Sequence, residues 1–421
     1  MSASRAPAAP WVVLAAATAT STLTGPGQTI GVSVFIDHLV ADLGLTRSQV
    51  STAYLIGTLT GAALLPRVGR AVDRHGVRLA QIIIGVAFGV ALVNMSFVSG
   101  IAWLAVGFTG IRFLGQGSLS LVSTVTVSVR FARNRGTALG IFATVSGGGM
   151  ALVPLVLNLS IDSIGWRQTW LVAAAVVAVT VVALAVFALG GLRSGSVPAD
   201  QQLPENDPSE ATGGATRTIR PAYDRAAAIR TLPFWALAAA SGTAGMLSTG
   251  LVFHQIDLLG DAGLSSTAAA ALFVPQVIGS TIAGLGAGYL SDRAGLRALP
   301  AVAMTLLLLA HWLAAVVAPG ITVLVYAVVL GAMGGAIRTT VSAALPMWFG
   351  TAHLGSIQGS LTFFNVGASA LGPVALAVAR DQFGSYPPAV LALSVLPAAV
   401  LVLVALPMAT RPPAPIPAPR H

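Results

Sequence analysis

The sequence predicts an all-α membrane protein, with twelve transmembrane helices in two pseudo-symmetric six-helix bundles. Three observations lead there. Of 421 residues, 55% are hydrophobic and only 8% charged, with a mean hydropathy of +0.85; a soluble chain carries roughly 25% charged residues. A pattern G-x-x-x-D-R-x-G-x-R occurs at Gly69 to Arg78 and again at Gly288 to Arg297, with Asp73 and Asp292 lying 219 positions apart (292 − 73). Gly136 and Gly355, then Gly140 and Gly359, keep that interval, which marks a duplicated unit. Finally, the basic residues separate sharply between alternate connections, as the twelve-crossing reading requires.

A helix needs about 20 apolar residues to cross a hydrocarbon layer of ~30 Å. Crossing 1 covers 11–36 and is weakened locally by Gly25-Pro26-Gly27; crossing 2 covers 49–67 and ends at Arg67, just before the pattern. Crossing 3 covers 79–99 and ends at Ser99-Gly100, followed by crossings at 102–127, 137–161 and 167–191. The second half repeats the plan at 233–257, 267–290, 298–318, 321–345, 355–379 and 386–408. Residues 1–192 and 233–421 are thus the two bundles, the second ending in a short proline-rich tail read as disordered. Between them, 193–232 is a Pro-, Gly-, Ser- and acid-rich linker, read as cytoplasmic and flexible, with a short interfacial helix expected over 221–232.

Every one of the 22 basic residues is an arginine. With the N-terminus inside, Arg47, Arg167 and Arg380 fall in outer connections, Arg112 and Arg338 fall inside apolar runs, and the remainder lie in cytoplasmic segments. The positive-inside rule therefore places both termini in the cytoplasm of a multi-pass protein of the cell (inner) membrane. No cleavable signal is expected. The net charge of +9 is assigned to topology, and no nucleic-acid partner is expected. With no cysteine, disulfide and thiol chemistry are excluded. The sequence offers no P-loop, metal constellation or nucleophile triad, so no cofactor and no enzymatic activity are expected.

The doubled pattern, with Arg112-Phe113-Leu114-Gly115-Gln116-Gly117 in crossing 4, resembles the major facilitator superfamily, and the resemblance spans nearly the whole chain outside the linker and tails. Further stretches are similar to its monocarboxylate-transporter and oxalate/formate-antiporter branch: Arg135 to Gly140, Gly165-Trp166-Arg167, Phe253-His254-Gln255 and Asp261 to Ser265. That branch often carries an Arg in crossing 8 or a Lys in crossing 11, whereas crossing 8 here reads Phe273-Val274-Pro275-Gln276-Val277 and no Lys occurs. The resemblance implies the major facilitator fold, a monomer, and alternating access about a midplane site. It also implies a gating role for Gly69, Asp73, Arg74, Arg78, Gly288, Asp292, Arg293 and Arg297, the cluster latching and releasing conformations. In physical terms the glycines admit close helix approach, and the aspartates precede a helix start where a carboxylate can cap free N–H groups. Positive-inside topology with a tight turn is the plainer reading of the same residues.

An arginine at mid-membrane costs about 2.5–3.5 kcal/mol on insertion scales and normally faces a bundle interior. Arg112 lies at that depth, and its guanidinium can grip a carboxylate with two parallel hydrogen bonds. Pairing with helix-end carbonyls is the structural alternative. Two readings stand for Arg338: solute contact, or a gate residue snorkelling toward the surface. Gln28, beside the weakened stretch of crossing 1, is a polar candidate for solute contact or a mere packing kink. Tyr54, Gln276 and Asn365 are candidates for solute contact or interhelical glue. Imidazole is the side chain suited to carry a proton near physiological pH, and His254 is the proton-coupling candidate, with a capping or interfacial role as alternative. The expected function is secondary active transport of a small, monocarboxylate-like organic anion by proton symport or exchange for another anion. Proton-driven efflux of hydrophobic drugs or metabolites is the competing expectation. On the gating reading, Asp73→Asn slows uptake greatly in proteoliposomes while the protein still inserts; near-normal uptake sinks the latch.

Overall fold

The computed structural model describes residues 9–131, 135–189, 223–294, 296–350 and 353–410. The chain divides into two compact units, 1–213 and 214–421, and each contributes six crossings. In the first unit, crossing 1 is broken into α1 (Pro10–Thr22) and α2 (Thr29–Ser33), followed by α3 (Ile36–Leu43). Crossings 2 and 3 are α4 (Arg47–His75) and α5 (Val77–Ser96). Crossing 4 is α6 (Ile101–Ile111) and α7 (Ser120–Arg130) joined by a π-helical stretch, Arg112–Leu119. Crossings 5 and 6 are α8 (Arg135–Ile164) and α9 (Trp166–Ala188).

The second unit opens with a four-residue helix, α10 (Arg225–Ala228), capped by the Asp224 carboxylate accepting from the Ala227 N–H at 2.7 Å. It falls inside the interfacial helix expected over 221–232; linker residues 193–222 lie outside the described residues, as do the first eight and the proline-rich tail from 411. Crossing 7 is α11 (Leu232–Phe253) with α12 (Gln255–Asp261), and crossing 8 is α13 (Ser266–Ala271) with α14 (Phe273–Ala294). Then come α15 (Leu299–Ala315), α16 (Ile321–Phe349), α17 (Leu354–Phe383), and crossing 12 as α18 (Pro387–Leu393) and α19 (Val395–Ala405). Among the described residues, eight stretches are individually long and apolar enough to span a bilayer. The other four crossings are α4, the 17-residue α15 and the two interrupted by the turn in crossing 1 and the π stretch in crossing 4.

Crossing 1 breaks where the sequence predicts. Pro26 has no N–H to give a helix, Gly25–Gly27 form a single 3₁₀ turn, and Gln28 is extended at φ −85°, ψ 159°. Small residues then set the tightest seams. In the second unit, a Cβ added at Gly331 or Gly335 would run into the backbone carbonyls of Gln276 and Ser280, so α14 and α16 touch backbone to backbone. Gly250 of α11 likewise faces the Gly372 carbonyl of α17, where an added Cβ would lie 2.9 Å away.

A second duplicated motif emerges at the end of each unit away from the chain termini. Asp42-Leu43-Gly44-Leu45-Thr46 and Asp261-Ala262-Gly263-Leu264-Ser265 share the 219-residue interval. Gly44 and Gly263 both hold left-handed backbone, φ +61° and +89°. Thr46 and Ser265 both cap the next helix, accepting from Gln49 and Ala268 N–H at 3.2 Å. Asp42 pairs with Arg167 at 2.8 Å, and Asp261 with Arg380 at 2.8 Å, so each unit ties this turn to the connection between its last two crossings. Asp37 holds Arg47 at 2.7 Å. The three arginines expected in outer connections are therefore each matched by an aspartate.

The first duplicated pattern needs one correction. Asp73 and Asp292 stand inside a helix and not ahead of one: their backbones belong to the last turns of α4 and α14, and Gly76, at φ +82°, occupies the N-cap position of α5. The Asp73 and Asp292 side chains lie outside the described residues. Because a side chain in left-handed backbone costs about 1–2 kcal/mol, Gly44→Ala and Gly263→Ala should each lower stability by that amount. The two losses should add, since the residues sit in separate units. Chemical unfolding in detergent micelles measures both.

Candidate functional site

In the first unit the site is built around Arg112, eleven residues into crossing 4 and only 6% exposed. At 1.5 Å per residue this is about 16 Å from the helix start, near the centre of a bilayer. The break in crossing 1 supplies its first partner: Nη1 donates to the freed Gly27 carbonyl at 3.3 Å. Nη1 also reaches Thr29 Oγ1 at 3.4 Å, and Nε donates to Thr58 Oγ1 on α4 at 3.1 Å. The guanidinium lies over the Tyr54 ring, 4.6 Å from its centroid. Tyr54 is fully buried, with its hydroxyl 2.7 Å from Thr29 Oγ1, so it fixes the arginine and the broken helix together.

All of these partners are neutral. Among the described residues no carboxylate pairs with Arg112, and Nη2 makes no hydrogen bond. Arg112 is thus a positioned cation with one donor arm to spare. It also opens the π-helical stretch, a local widening common at functional sites. Gly115, one turn on, is where Phe88 and Gly27 close in: an added Cβ would meet the Phe88 ring at 2.6 Å and the Gly27 Cα at 3.3 Å. Gln28 turns its amide to Thr24 Oγ1 at 3.0 Å and Ser120 Oγ at 3.5 Å, in the next turn of crossing 4.

The second unit holds a cavity of about 410 Å³ between α11, α16 and α17. It brings together Arg338 and Asn365, two residues the sequence proposes separately. Arg338 donates Nη2 to Ser280 Oγ on α14 and has no carboxylate partner among the described residues. Asn365, which lines the cavity, donates Nδ2 to the Ser241 carbonyl at 2.7 Å. Hydroxyl groups of Ser248, Thr249, Ser342 and Thr362 also line the wall. Gln276 is not among the lining residues; it is buried and donates to Gln255 Oε1 at 2.6 Å.

His254 is 1% exposed at the end of α11, with Nε2 2.9 Å from the Pro373 carbonyl and Nδ1 3.2 Å from the Tyr386 hydroxyl. Sequence reasoning passed over Tyr386 and the π stretch. A single tyrosine carries no periodic signal, and π geometry follows from packing. At the terminus-proximal end, Arg74 is exposed on the stripe with Arg67 and Arg70, and Arg78 is half-buried. Arg293 lies over the Tyr289 ring at 4.3 Å, while Arg297 is exposed. Within these units, Gly69 and Gly288 are not points of tight approach: a Cβ at Gly288 would lie 3.8 Å from Thr339 Cγ2, and one at Gly69 would meet nothing.

The family model described as Major Facilitator Superfamily matches residues 13–279. Human monocarboxylate transporter 11 is 26% identical over 89% of this chain and 78% of its own length. A probable sulfoacetate transporter, SauU, of Cupriavidus necator is 28% identical, but over only 35% of this chain and 34% of its own. The crystal structure of the nucleoside transporter NupG superposes with a TM-score of 0.72 at 13% identity, covering 93% of this chain and 98% of that one. The last likeness concerns fold alone.

The partner set of Arg112 makes a double-mutant test. Thr58→Val leaves a buried charged N–H unmatched and should cost about 1–3 kcal/mol of stability in detergent. Adding Arg112→Met should recover most of that loss, because the charge needing the hydroxyl is gone. Simple additivity of the two substitutions would show that Thr58 does not serve Arg112.

Proposed function

We propose that this chain, which belongs to the Major Facilitator Superfamily and is therefore a membrane transporter and not an enzyme, carries a small organic anion. One observation carries the reading: Arg112 is a buried guanidinium held by neutral groups, with Nη2 left over. Anchoring such a charge with a carbonyl and two hydroxyls leaves it electrostatically unbalanced, and a carboxylate or sulfonate balances it. Arg338 plays the corresponding part in the second unit, with Asn365 orienting the solute. Gln28 contributes to the first-unit site, while Tyr54 and Gln276 act by positioning. The names of the relatives, a monocarboxylate and a probable sulfoacetate transporter, support an anionic cargo.

His254 is assigned the coupling proton, with anion exchange as the alternative mode. The arginine distribution supports a cytoplasmic location for both termini, since the arginines at the opposite end are matched by aspartates. The gating assignment of the duplicated pattern rests on the family resemblance.

A second reading, efflux of hydrophobic compounds, is favoured by a different feature. An apolar cavity of about 290 Å³ lies in the first unit among Leu23, Pro26, Leu152, Val153, Val156 and Val177. Uptake of radiolabelled carboxylates and sulfonates into proteoliposomes separates the two. We expect transport of at least one acid, a drop of more than tenfold in Arg112→Gln, and a rise in thermal stability with that acid. Movement of neutral or cationic compounds alone overturns the anion reading.

A further inference from the structure

We propose that His254, Tyr386 and Asp257 form one proton-binding site, with Arg380 and Asp261 as its outward counter-charges. The inference rests on the transporter reading only for what the proton accompanies; the site itself follows from hydrogen-bond bookkeeping.

A backbone carbonyl accepts and never donates. The contact between His254 Nε2 and the Pro373 carbonyl, 2.9 Å, therefore needs a proton on Nε2. The Tyr386 hydroxyl donates to Asp257 Oδ2 at 2.7 Å, which uses the single hydrogen of the phenol. Its oxygen is 3.2 Å from His254 Nδ1, and with that hydrogen already committed, Nδ1 must bring its own. All three contacts are satisfied together when both ring nitrogens are protonated. The imidazolium charge is then balanced through the phenol by Asp257, which also lies 3.3 Å from Arg380 Nε. Arg380 in turn holds Asp261 at 2.8 Å. From His254 to Asp261 the charges alternate in sign and sum to zero.

The chain also offers a route. His254 and Tyr386 are each 1% exposed, whereas the Asp257 side chain is 15% and the Asp261 side chain 39% exposed. A proton arriving at Asp257 passes to the phenol oxygen as the phenol releases its own hydrogen to neutral His254 Nδ1. One O–H bond forms and one breaks at Tyr386, the carboxyl returns to carboxylate, and the imidazole becomes imidazolium. Among the other helices packed against α11, α15 brings His311, bonded to the Leu307 carbonyl, and α16 brings Tyr326 and Arg338. None of these bonds to the proton group. The duplication supplies an internal control: 219 positions before His254 and Tyr386 stand Phe35 and Arg167, so the first unit has no counterpart.

The proton is placed to be felt at the cavity. Nε2–H reaches α17 at Pro373, next to Gly372, where α11 and α17 meet backbone to backbone at Gly250. Two turns farther along α17, Asn365 ties the same two helices at Ser241 and lines the cavity. Charging the imidazole strengthens one end of the seam whose other end is the cavity wall.

The test uses full-length protein in detergent micelles with ¹⁵N-labelled imidazole rings, six per chain. His254 is assigned by its loss in His254→Gln. At about pH 7, where a free imidazole is mostly neutral, both its nitrogens should carry protons. Tyr386→Phe, which keeps the histidine and the ring, should leave His254 with a single ring proton at that pH. In proteoliposomes with lactate as probe, Tyr386→Phe should cut accumulation driven by a pH gradient more than tenfold relative to lactate counterflow. A neutral His254 from about pH 5.5 to 8, or a titration that Tyr386→Phe leaves unmoved, overturns the site. Failure of lactate and every other acid to move counts against the anion reading instead, and the nuclear magnetic resonance result still decides the proton site.

Discussion

A charged side chain at mid-membrane has to be met by protein, because no water waits there to solvate it. The contact between the Arg112 guanidinium and the Gly27 carbonyl meets that demand, and much of the first unit is arranged around it. An unbroken helix would have spent that carbonyl on its own ladder. Gly25, Pro26 and Gly27 give up the ladder locally, and Thr29, Tyr54 and Thr58 complete the cradle. The small residues Gly27 and Gly115 then let crossings 1 and 4 come near enough for the contact to form. The irregular geometry here, a 3₁₀ turn and a π stretch, is confined to backbone that lines the site.

Duplication preserved the scaffold and let the chemistry diverge. The turns at Gly44 and Gly263, their caps and their aspartates recur at one interval, because closing a six-helix unit makes the same geometric demand twice. The interior groups do not recur. Gly331 stands opposite Arg112 in the repeat, and there it lets α16 lie against the backbone of α14. The second unit instead carries its cation on Arg338, at a cavity of mixed polar and apolar lining, and sets a histidine where the first has Phe35. A cation in a neutral cradle and a cavity with a cation on its wall are the two features from which the anion proposal is argued.

The same electrostatic logic separates the two ends of each unit. Arg47, Arg167 and Arg380 stand beside aspartates at 2.7–2.8 Å, while Arg67, Arg70 and Arg74 form an exposed stripe on α4. Partly exposed pairs of this kind add little stability. Their effect is to cancel positive charge at one end and to tie together connections that are far apart in sequence.

Hydrophobic run length and the spacing of Gly, Pro and Arg are local properties, and they sufficed to predict twelve crossings, the duplication, the break in crossing 1 and a buried arginine in crossing 4. Those features follow from what a bilayer allows any sequence to do. Partnership is not local. That Asn365 shares a cavity with Arg338 while Gln276 is turned to Gln255 depends on helix rotation, which packing between crossings sets. Asp73 and Asp292 read as caps from spacing alone, yet α4 and α14 run on through them, because a helix in a bundle continues while its backbone can be satisfied. The joining of His254 to Tyr386, 132 positions away, needed the folded chain, since a lone tyrosine before two prolines gives no sign of what it will face.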